Sequence, residues 1–278
     1  MNTIGELLRW GQAQLAGSDE AAGDAQALLG HVLEKERTWL FTWSDKVVDE
    51  EHRNRFRELI AQRSQGVPVA HITGSRAFWT MQLQVNEHTL IPRPETEHLV
   101  EKALQLGDAD RNLQILDMGT GSGAIALAIA SERPKWQITA SDRSEAALQM
   151  ARSNAHRLGL KNVNFAKSDW FAAIDGHFDL IISNPPYVAE KDPHLSQGDL
   201  RFEPRGALAS GIDGLDDIRR IVSDTHGYLR PGGWLLFEHG FEQATAAREI
   251  LQQAGYTQIF TEQDLASHDR LSGGKLPP

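Results

Sequence analysis

The stretch that decides the fold reads Phe178-Asp179-Leu180-Ile181-Ile182-Ser183-Asn184-Pro185-Pro186-Tyr187. Residues 178–182 form a short apolar run that is rich in β-branched side chains, which is typical of a buried strand. The two prolines have no amide N–H, so they end the hydrogen-bond ladder of the sheet, and their fixed φ makes the loop stiff. The sequence therefore predicts a buried strand with a rigid loop at its tip.

The loop at the tip of this strand carries groups that suit a planar amide or amino group. The side-chain oxygen of Asn184 and the carbonyl of Pro185 can each accept one N–H, while the ring of Tyr187 lies against the flat group. Asn-Pro and Pro-Pro are also common turn formers, so a loop without a ligand would explain the same residues. A second motif upstream favours the functional interpretation.

That second motif is a glycine-rich loop between another predicted strand and its helix, Asp117-Met118-Gly119-Thr120-Gly121-Ser122-Gly123. Its glycines let the backbone approach a ligand and let the helix pack closely. Asp142 ends the next predicted strand, 19 residues after Gly123, and is placed to accept ribose hydroxyls. The pattern indicates a site for a nucleotide-containing cofactor.

The carboxylate before the glycines favours S-adenosylmethionine over a dinucleotide. A dinucleotide loop has the pattern G-x-G-x-x-G/A, whereas this loop is G-x-G-x-G preceded by Asp117. A carboxylate there would repel a pyrophosphate but could hold the cationic methionyl amine. Asp169 and Trp170, after the third strand, can bond the adenine amino group and cover its ring. Two other interpretations stay open: Asp117 could accept from loop N–H groups, and Trp170 could belong to the core.

Composition narrows the class of protein. A chain of 278 residues suggests about two domains. No apolar run approaches the roughly 18 residues of a membrane span, and the N-terminus does not resemble a signal peptide. The absence of cysteine excludes disulfides and thiolate zinc sites, and the histidines show no paired metal-binding spacing, so we expect no metal. The formal net charge of −10 argues against direct binding to nucleic acid.

The predicted elements fall into a helical part and an α/β part. Residues 1–66 look helical, and we expect the aromatic residues within 39–43 to lie in the core of that bundle. Residues 67–74 read as extended, and strands over 78–85 and 89–91 predict a β-hairpin.

From residue 112 onward strands and helices alternate, which implies a doubly wound, largely parallel sheet with ligands at the carboxyl ends of its strands. The predicted strands are 113–118, 137–141, 163–166, 178–182, 234–238 and 257–261. The predicted helices are 124–131, 145–158 and 242–254, with another within 214–229.

With these motifs together, the chain resembles the protein-(glutamine-N5) methyltransferases of peptide chain release factors, the PrmC/HemK family. Asn-Pro-Pro-Tyr alone is shared with adenine-N6 and other amino methyltransferases. The more specific mark is Ile91-Pro92-Arg93-Pro94-Glu95-Thr96-Glu97. Phe202-Glu203-Pro204 and residues 264–270 also look like family segments. Ser210 and Ser267 stand where we expect glycine, a departure that affects loops and leaves the chemistry untouched.

The resemblance implies a class I S-adenosylmethionine-dependent methyltransferase fold with a small N-terminal helical bundle. The implied domains are a substrate-docking helical domain at 1–74, a β-hairpin connector at 75–92 and the methyltransferase domain at 93–278. The substrate would be the glutamine of the release factor's Gly-Gly-Gln loop, so the enzyme would modulate translation termination. We expect a cytoplasmic monomer without membrane contact.

The resemblance also assigns site residues by position. Gly119 to Gly123, Asp142, Trp170 and Asn184 would line the cofactor site, to which residue chemistry adds Asp117 and Asp169. Asn184 through Tyr187 would hold the substrate amide, with Asn184, Pro185 and Tyr187 acting in catalysis.

Methylation of a carboxamide is limited by its nucleophile, because the nitrogen lone pair is delocalised into the carbonyl. Acceptors on both N–H groups, from Asn184 and the Pro185 carbonyl, would localise electron density on nitrogen and stabilise the positive charge that develops there. Tyr187 would fix the plane of the amide. The motif itself contains no obvious base, and the proton can leave to water.

Three alternatives stay open at this point. An adenine-N6 methyltransferase would hold a flipped base in the same clamp, although the acidic balance argues against it. A ribosomal-protein glutamine methyltransferase would share all the chemistry. A non-enzymatic binding module on the same fold is disfavoured by the intact glycine loop, Asp142 and Asn184.

Overall fold

The computed structural model describes residues 2–18 and 20–278. The chain divides into two compact units, Met1–Ser75 and Arg76–Pro278, and each has an apolar core of its own. Among the described residues, none of the helices combines the length and apolar character that crossing a bilayer requires.

The first unit is a helical bundle, as the sequence predicts. The hydroxyl of Thr3 accepts from Glu6 N while the Glu6 carboxylate accepts from Thr3 N, which caps the first helix. Asp49 caps the fourth by accepting from His52 N. The helices are α1 (Ile4–Gln14), α2 (Ala21–Leu33), α3 (Arg37–Thr42), α4 (Glu50–Ser64) and α5 (Val69–Thr73).

The prediction of an extended segment at 67–74 is wrong, because α5 lies there. Pro68 starts this helix with a fixed φ, and its carbonyl accepts from the N–H groups of His71 and Ile72. Ala70 is buried, and Ile72 packs against the core of the bundle. Tertiary packing of this short apolar face outweighs the β-branched composition that suggested an extended chain.

The prediction that the aromatic residues of 39–43 lie in the core is also only partly right. Leu40 is fully buried and Trp39 packs partly against the core, whereas Phe41 and Trp43 are 54% and 50% exposed. Consecutive side chains of a helix point about 100° apart, so neighbouring residues of α3 cannot share one face, and Leu40 takes the core position.

The β-hairpin exists, but one strand earlier than predicted. It pairs β1 (Ser75–Phe78) with β2 (Met81–Gln84), and residues 89–91 form no strand. The turn contains Trp79 with a φ of +57°, and two carboxylates fix it: Glu97 accepts from Trp79 N, and Glu132 accepts from the indole N–H. This turn depends on tertiary partners and not on turn-forming residues.

The second unit is a doubly wound sheet, which confirms the predicted architecture. Its seven strands lie in the order β5-β4-β3-β6-β7-β9-β8, and every neighbouring pair is parallel except those that involve β9. The strands are β3 (Gln114–Met118), β4 (Gln137–Asp142), β5 (Val163–Lys167), β6 (Phe178–Ser183), β7 (Leu229–Glu238), β8 (Thr257–Gln263) and β9 (Asp269–Lys275).

Helices cover both faces of this sheet. One face packs against α6 (Glu97–Leu106), α7 (Ala124–Glu132) and α8 (Glu145–Leu158), and the other against α9 (Asp216–Asp224) and α10 (Ala244–Gln253). A 3₁₀ turn, Pro94–Thr96, leads directly into α6, and the fixed φ of Pro94 suits this position at a helix start.

The register of the central strands brings the motifs to one edge. Met118 on β3 pairs with both Ser141 on β4 and Ser183 on β6, and Ser183 in turn pairs with Phe237 on β7. The residues that follow these partners are the glycine loop, Asp142, Asn184 and Glu238. They therefore lie side by side at the carboxyl edge of the sheet, next to β3, where the order of successive strands along the chain reverses.

Candidate active site

A cavity of about 290 Å³ opens at the carboxyl edge of the parallel strands in the second unit. Most of the residues that the sequence assigns to the site line it, which brings the cofactor loop and the Asn-Pro-Pro-Tyr loop together. These lining residues are Gly119, Thr120, Gly121, Ser122, Asp142, Asp169, Trp170, Asn184 and Pro186. The cavity walls do not include four other assigned residues: Asp117, Gly123, Pro185 and Tyr187.

The glycine loop and Asp142 hold each other in place. The two oxygens of the Asp142 carboxylate accept from Gly121 N at 3.0 Å and from Ser144 N at 2.8 Å. A carboxylate oxygen can accept a further hydrogen bond, so both can still take a hydroxyl from the cavity. Gly123 has a φ of +89°, and a Cβ there would lie 2.9 Å from the Leu127 side chain. Glycine is therefore required where the loop enters α7.

Asp117 lies directly behind this loop and is fully buried. Its Oδ2 accepts from the Thr120 hydroxyl at 2.6 Å and from Ala126 N at 3.2 Å, so a loop hydroxyl and an N–H of α7 take the place of the loop N–H groups that the structural interpretation expected. Its Oδ1 has no partner among the described residues. Burial raises the pKa of Asp117 to about 7, although these two hydrogen bonds act in the opposite direction.

Trp170 forms a wall of the cavity, and a residue that does not line the cavity fixes its ring. Its indole N–H donates to the Asp217 carboxylate at 3.0 Å, and its backbone has a φ of +51°. The ring faces the glycine loop, since a Cβ on Gly119 would lie 3.8 Å from it. The neighbouring Asp169 pairs with Arg220 at 3.0 Å. Trp170 is thus packed against the core and is also part of the cavity wall, and its contact with adenine stays a prediction.

A chain of hydrogen bonds links Asn184 and Tyr187 to two residues that lie behind them. Asn184 Nδ2 donates to Thr96 Oγ1 at 3.0 Å, and that hydroxyl donates to Glu238 Oε2 at 2.7 Å. The Tyr187 hydroxyl donates to the other oxygen, Glu238 Oε1, at 3.0 Å. Asn184 Oδ1 is buried and has no partner among the described residues.

Burial sets the ionisation of this cluster. It raises the pKa of Glu238, while the donors Thr96 and Tyr187 and the charge of Arg270 oppose that change. Burial together with the negative charge of Glu238 raises the pKa of Tyr187, so its phenol stays protonated and remains a donor.

Sequence reasoning missed Thr96 and Glu238. Thr96 lines the cavity and lies within the family-specific stretch 91–97, which was a usable signal. Glu238 ends the central strand β7, and a carboxylate at the end of a parallel strand lies at the ligand edge of the sheet.

The segment of residues 198–208 forms another side of the cavity. The buried carboxylate of Glu203 accepts from Ile91 N at 2.9 Å and pairs with Arg93. Arg143 donates to the Gly206 carbonyl at 2.7 Å. These bonds explain why Phe202-Glu203-Pro204 stood out in the sequence, because they place Pro204, Gly206 and Ala207 in the cavity wall.

Comparison with known proteins identifies the family. Residues 6–74 match the family model of the PrmC N-terminal domain, and residues 96–200 match that of the methyltransferase small domain. A release factor glutamine methyltransferase from Shewanella oneidensis is 50% identical over 274 residues, which cover 98% of this chain and 96% of the relative. The chain belongs to the release factor glutamine methyltransferase family. The resemblance found in the sequence is thereby confirmed.

Other members of the family also match this chain over most of its length. The enzyme of the same name from Pseudomonas aeruginosa is 49% identical, with 99% of each chain covered. A T. thermophilus 16S rRNA N2 methyltransferase, solved in complex with AdoMet and guanosine, superposes with a TM-score of 0.52. It is 18% identical and covers 73% of this chain and 49% of its own. The fold is that of the class I S-adenosylmethionine-dependent methyltransferases, as predicted.

Proposed function

We propose that this enzyme transfers a methyl group from S-adenosylmethionine to the side-chain amide nitrogen of the glutamine in the Gly-Gly-Gln loop of peptide chain release factors. The observation that carries the proposal is Asn184 Oδ1, a buried acceptor without a partner among the described residues, at the edge of the cavity. A carboxamide N–H of the substrate would satisfy it. We further propose that the enzyme works as a monomer in the cytoplasm and modulates translation termination.

The chemistry of the cavity fits S-adenosylmethionine. Asp142 has acceptor capacity left for the ribose hydroxyls, and Trp170 with Asp169 offers a flat wall and an acceptor for adenine. Asp117 Oδ1 is buried and unpaired within the described part of the chain, so a cation nearby would stabilise its ionised form. The backbone of Gly119 to Gly123 would contact the remainder of the cofactor.

The bound cofactor supplies an electrophilic methyl group on a cationic sulfur. The work of the protein is to prepare the amide nitrogen. Asn184 Oδ1 and the Pro185 carbonyl would accept its two N–H groups, which increases electron density on nitrogen and stabilises positive charge as the new bond forms. Tyr187, held by Glu238, would fix the plane of the amide.

We propose that the N-terminal unit docks the release factor. Two half-exposed aromatic side chains, Phe41 and Trp43, lie in it with the 66% exposed Val47, all within seven consecutive positions of the chain. Exposed apolar side chains that adjoin one another are typical of contact surfaces, and this clustering supports the proposal. Replacing Phe41 and Trp43 by alanine should raise KM for the release factor and leave kcat and cofactor affinity unchanged. Arg55→Ala, an exposed change on α4, is the control. An unchanged KM in the double variant would exclude these two side chains from docking.

A substrate comparison tests the proposed function. The enzyme would be incubated with labelled S-adenosylmethionine and an unmethylated release factor, a ribosomal protein mixture or adenine-containing DNA and RNA. The proposal predicts label in the release factor alone. Label in a ribosomal protein or in nucleic acid, with none in the release factor, would refute the proposed substrate. It would show that Asn184, Pro185 and Tyr187 act on one of the other substrates instead.

A further inference from the structure

In the hydrogen-bond chain behind Asn184, it matters which group donates at each step. Thr96 lines the cavity but is only 4% exposed, and Glu238, which is 2% exposed, does not line it, so both are shielded from bulk water. Thr96 Oγ1 lies 2.7 Å from Glu238 Oε2 and 3.0 Å from Asn184 Nδ2. Thr96 has a single hydroxyl proton, so it can donate to only one of these two neighbours.

The carboxylate decides which neighbour receives that proton. An ionised carboxylate can only accept, so Thr96 must donate to Glu238 and must accept from Asn184. Asn184 therefore turns its NH2 group to Thr96 and leaves Oδ1 for the site. Asparagine alone has no such preference, because its two ends have nearly the same shape and a threonine hydroxyl can bond either one.

We propose that Glu238, acting through Thr96, is a positioning residue that fixes which end of the Asn184 amide faces the substrate. The inference rests on the proposed function for its substrate. With Oδ1 outward, the site accepts an N–H and suits glutamine. With Nδ2 outward, it would donate and would suit the carboxylate of glutamate. The same Glu238 also receives the Tyr187 hydroxyl, so one buried side chain orients both members of the clamp.

Two substitutions and one control separate orientation from packing. In Glu238→Gln, the new amide can donate to Thr96, which then donates to Asn184 and lets its amide reverse. Thr96→Val keeps the shape of the side chain but removes the hydroxyl. Thr96→Ser keeps the hydroxyl and is the matched control. Because two variants act at different atoms, a folding defect in one leaves the other to decide.

The first readout needs no substrate. Hydrogen exchange of the Asn184 side-chain NH2, followed by NMR in the full-length protein, should be slow in the native enzyme and in Thr96→Ser. It should become faster in Thr96→Val and Glu238→Gln, because the acceptor for Nδ2 is lost or reversed. Unchanged exchange in both variants would overturn the proposal whatever the substrate proves to be.

The second readout is the discrimination between amide and carboxylate. Binding of an unmethylated release factor and of its Gly-Gly-Glu variant would be compared for each enzyme. Losing one oriented hydrogen bond should reduce the preference for glutamine about 10- to 100-fold in Glu238→Gln and Thr96→Val, and Thr96→Ser should keep it. Each comparison would be made at saturating S-adenosylmethionine, so that a change in cofactor affinity does not affect it. If both variants kept the preference for glutamine over glutamate, Glu238 would have only a structural role.

The pH profile gives a third readout. Glu238 faces Thr96, Tyr187 and the charges of Arg270 and Glu95. Burial raises its pKa, so acidification protonates it earlier than an exposed glutamate. A protonated Glu238 can donate to Thr96, which can then donate to Asn184. The orientation of the Asn184 amide is then no longer fixed. The glutamine preference should therefore fall as the pH falls in the native enzyme, while Glu238→Gln should show a low preference at every pH. A native enzyme that does not methylate the release factor at all would refute the proposed function instead, and the exchange measurement would still judge the orientation.

Discussion

The hydroxyl of Ser183 donates a hydrogen bond of 2.9 Å to the carbonyl of Met118, across the two central strands β3 and β6. Both residues are fully buried and both are the last in their strands. The bond fixes the level at which the glycine loop and the Asn-Pro-Pro-Tyr loop leave the sheet. The relative position of the two loops is therefore set by the register of one strand pair.

Asn184 should be needed for transfer far more than for cofactor binding. Asn184→Ala removes the free Oδ1 acceptor, and loss of one preorganised group of this kind costs roughly 10²–10³ in kcat. Single-turnover methyl transfer and cofactor affinity from calorimetry should be measured on the same preparation. Equal losses in both quantities would contradict the role in holding the substrate.

Asp142, by contrast, should be needed for cofactor binding far more than for methyl transfer. Asp142→Asn leaves either Gly121 N or Ser144 N without its acceptor and removes the charged acceptor for ribose. Cofactor affinity should fall about 10- to 100-fold, which corresponds to one or two lost hydrogen bonds, while transfer at saturating cofactor should change little. Glu145→Gln is the control, since it changes an exposed carboxylate near Asp142 on the surface of α8. If Asp142→Asn bound the cofactor as tightly as the native enzyme, Asp142 would have no role in holding it.

Asp117 should make the folded protein less stable as the pH rises. In the folded state its pKa is about 7, against an ordinary value of 3.8, so the native protein keeps a proton that the unfolded chain has lost. The stabilisation is complete below about pH 4 and is lost as the pH rises through 7, with a total on the order of 4 kcal/mol.

The measurement is the difference in unfolding free energy between the native protein and Asp117→Asn at several pH values. Other titrating groups, such as Asp213 with a pKa held near 2 by Arg219, cancel in this difference. A difference that is independent of pH between 4 and 7 would show that Asp117 is ionised in the folded state.

Ser267 should tolerate glycine with a gain in stability. Its φ is +63°, a left-handed conformation that is unfavourable for a residue with a side chain. After allowing for the greater freedom of glycine in the unfolded chain, Ser267→Gly should stabilise the protein by about 0.5–1 kcal/mol. Ser267→Ala keeps the strain and is the matched control, so a rise in Tm for both changes would point to a cause other than φ.

The sequence predicts the parts of this fold that depend on local pattern. The predicted strand 137–141 corresponds to Gln137–Asp142, and the predicted helix 145–158 corresponds to Glu145–Leu158. Both have a clear period of apolar residues and clear end signals. The glycine loop, Asp142 and Asn184 could be placed in one site because parallel strands bring their carboxyl ends to one edge.

The features that escape prediction depend on residues far apart in the chain. The hairpin turns at Trp79, whose positive φ is held by Glu97 and Glu132. Thr96 and Glu238 are separated by 142 positions and meet because the 3₁₀ turn before α6 lies at the end of β7. No local pattern contains that contact, so the partner of Thr96 could not be found from the sequence.

The most direct test of the central claim is to locate the transferred methyl group. An unmethylated release factor would be treated with S-adenosylmethionine and the native enzyme or Asn184→Ala, and its peptides mapped by mass spectrometry. The account predicts one added methyl on the amide nitrogen of the Gly-Gly-Gln glutamine with the native enzyme, and an unmodified glutamine with Asn184→Ala. A methyl group on any other residue, or an equally modified glutamine with both enzymes, would contradict it.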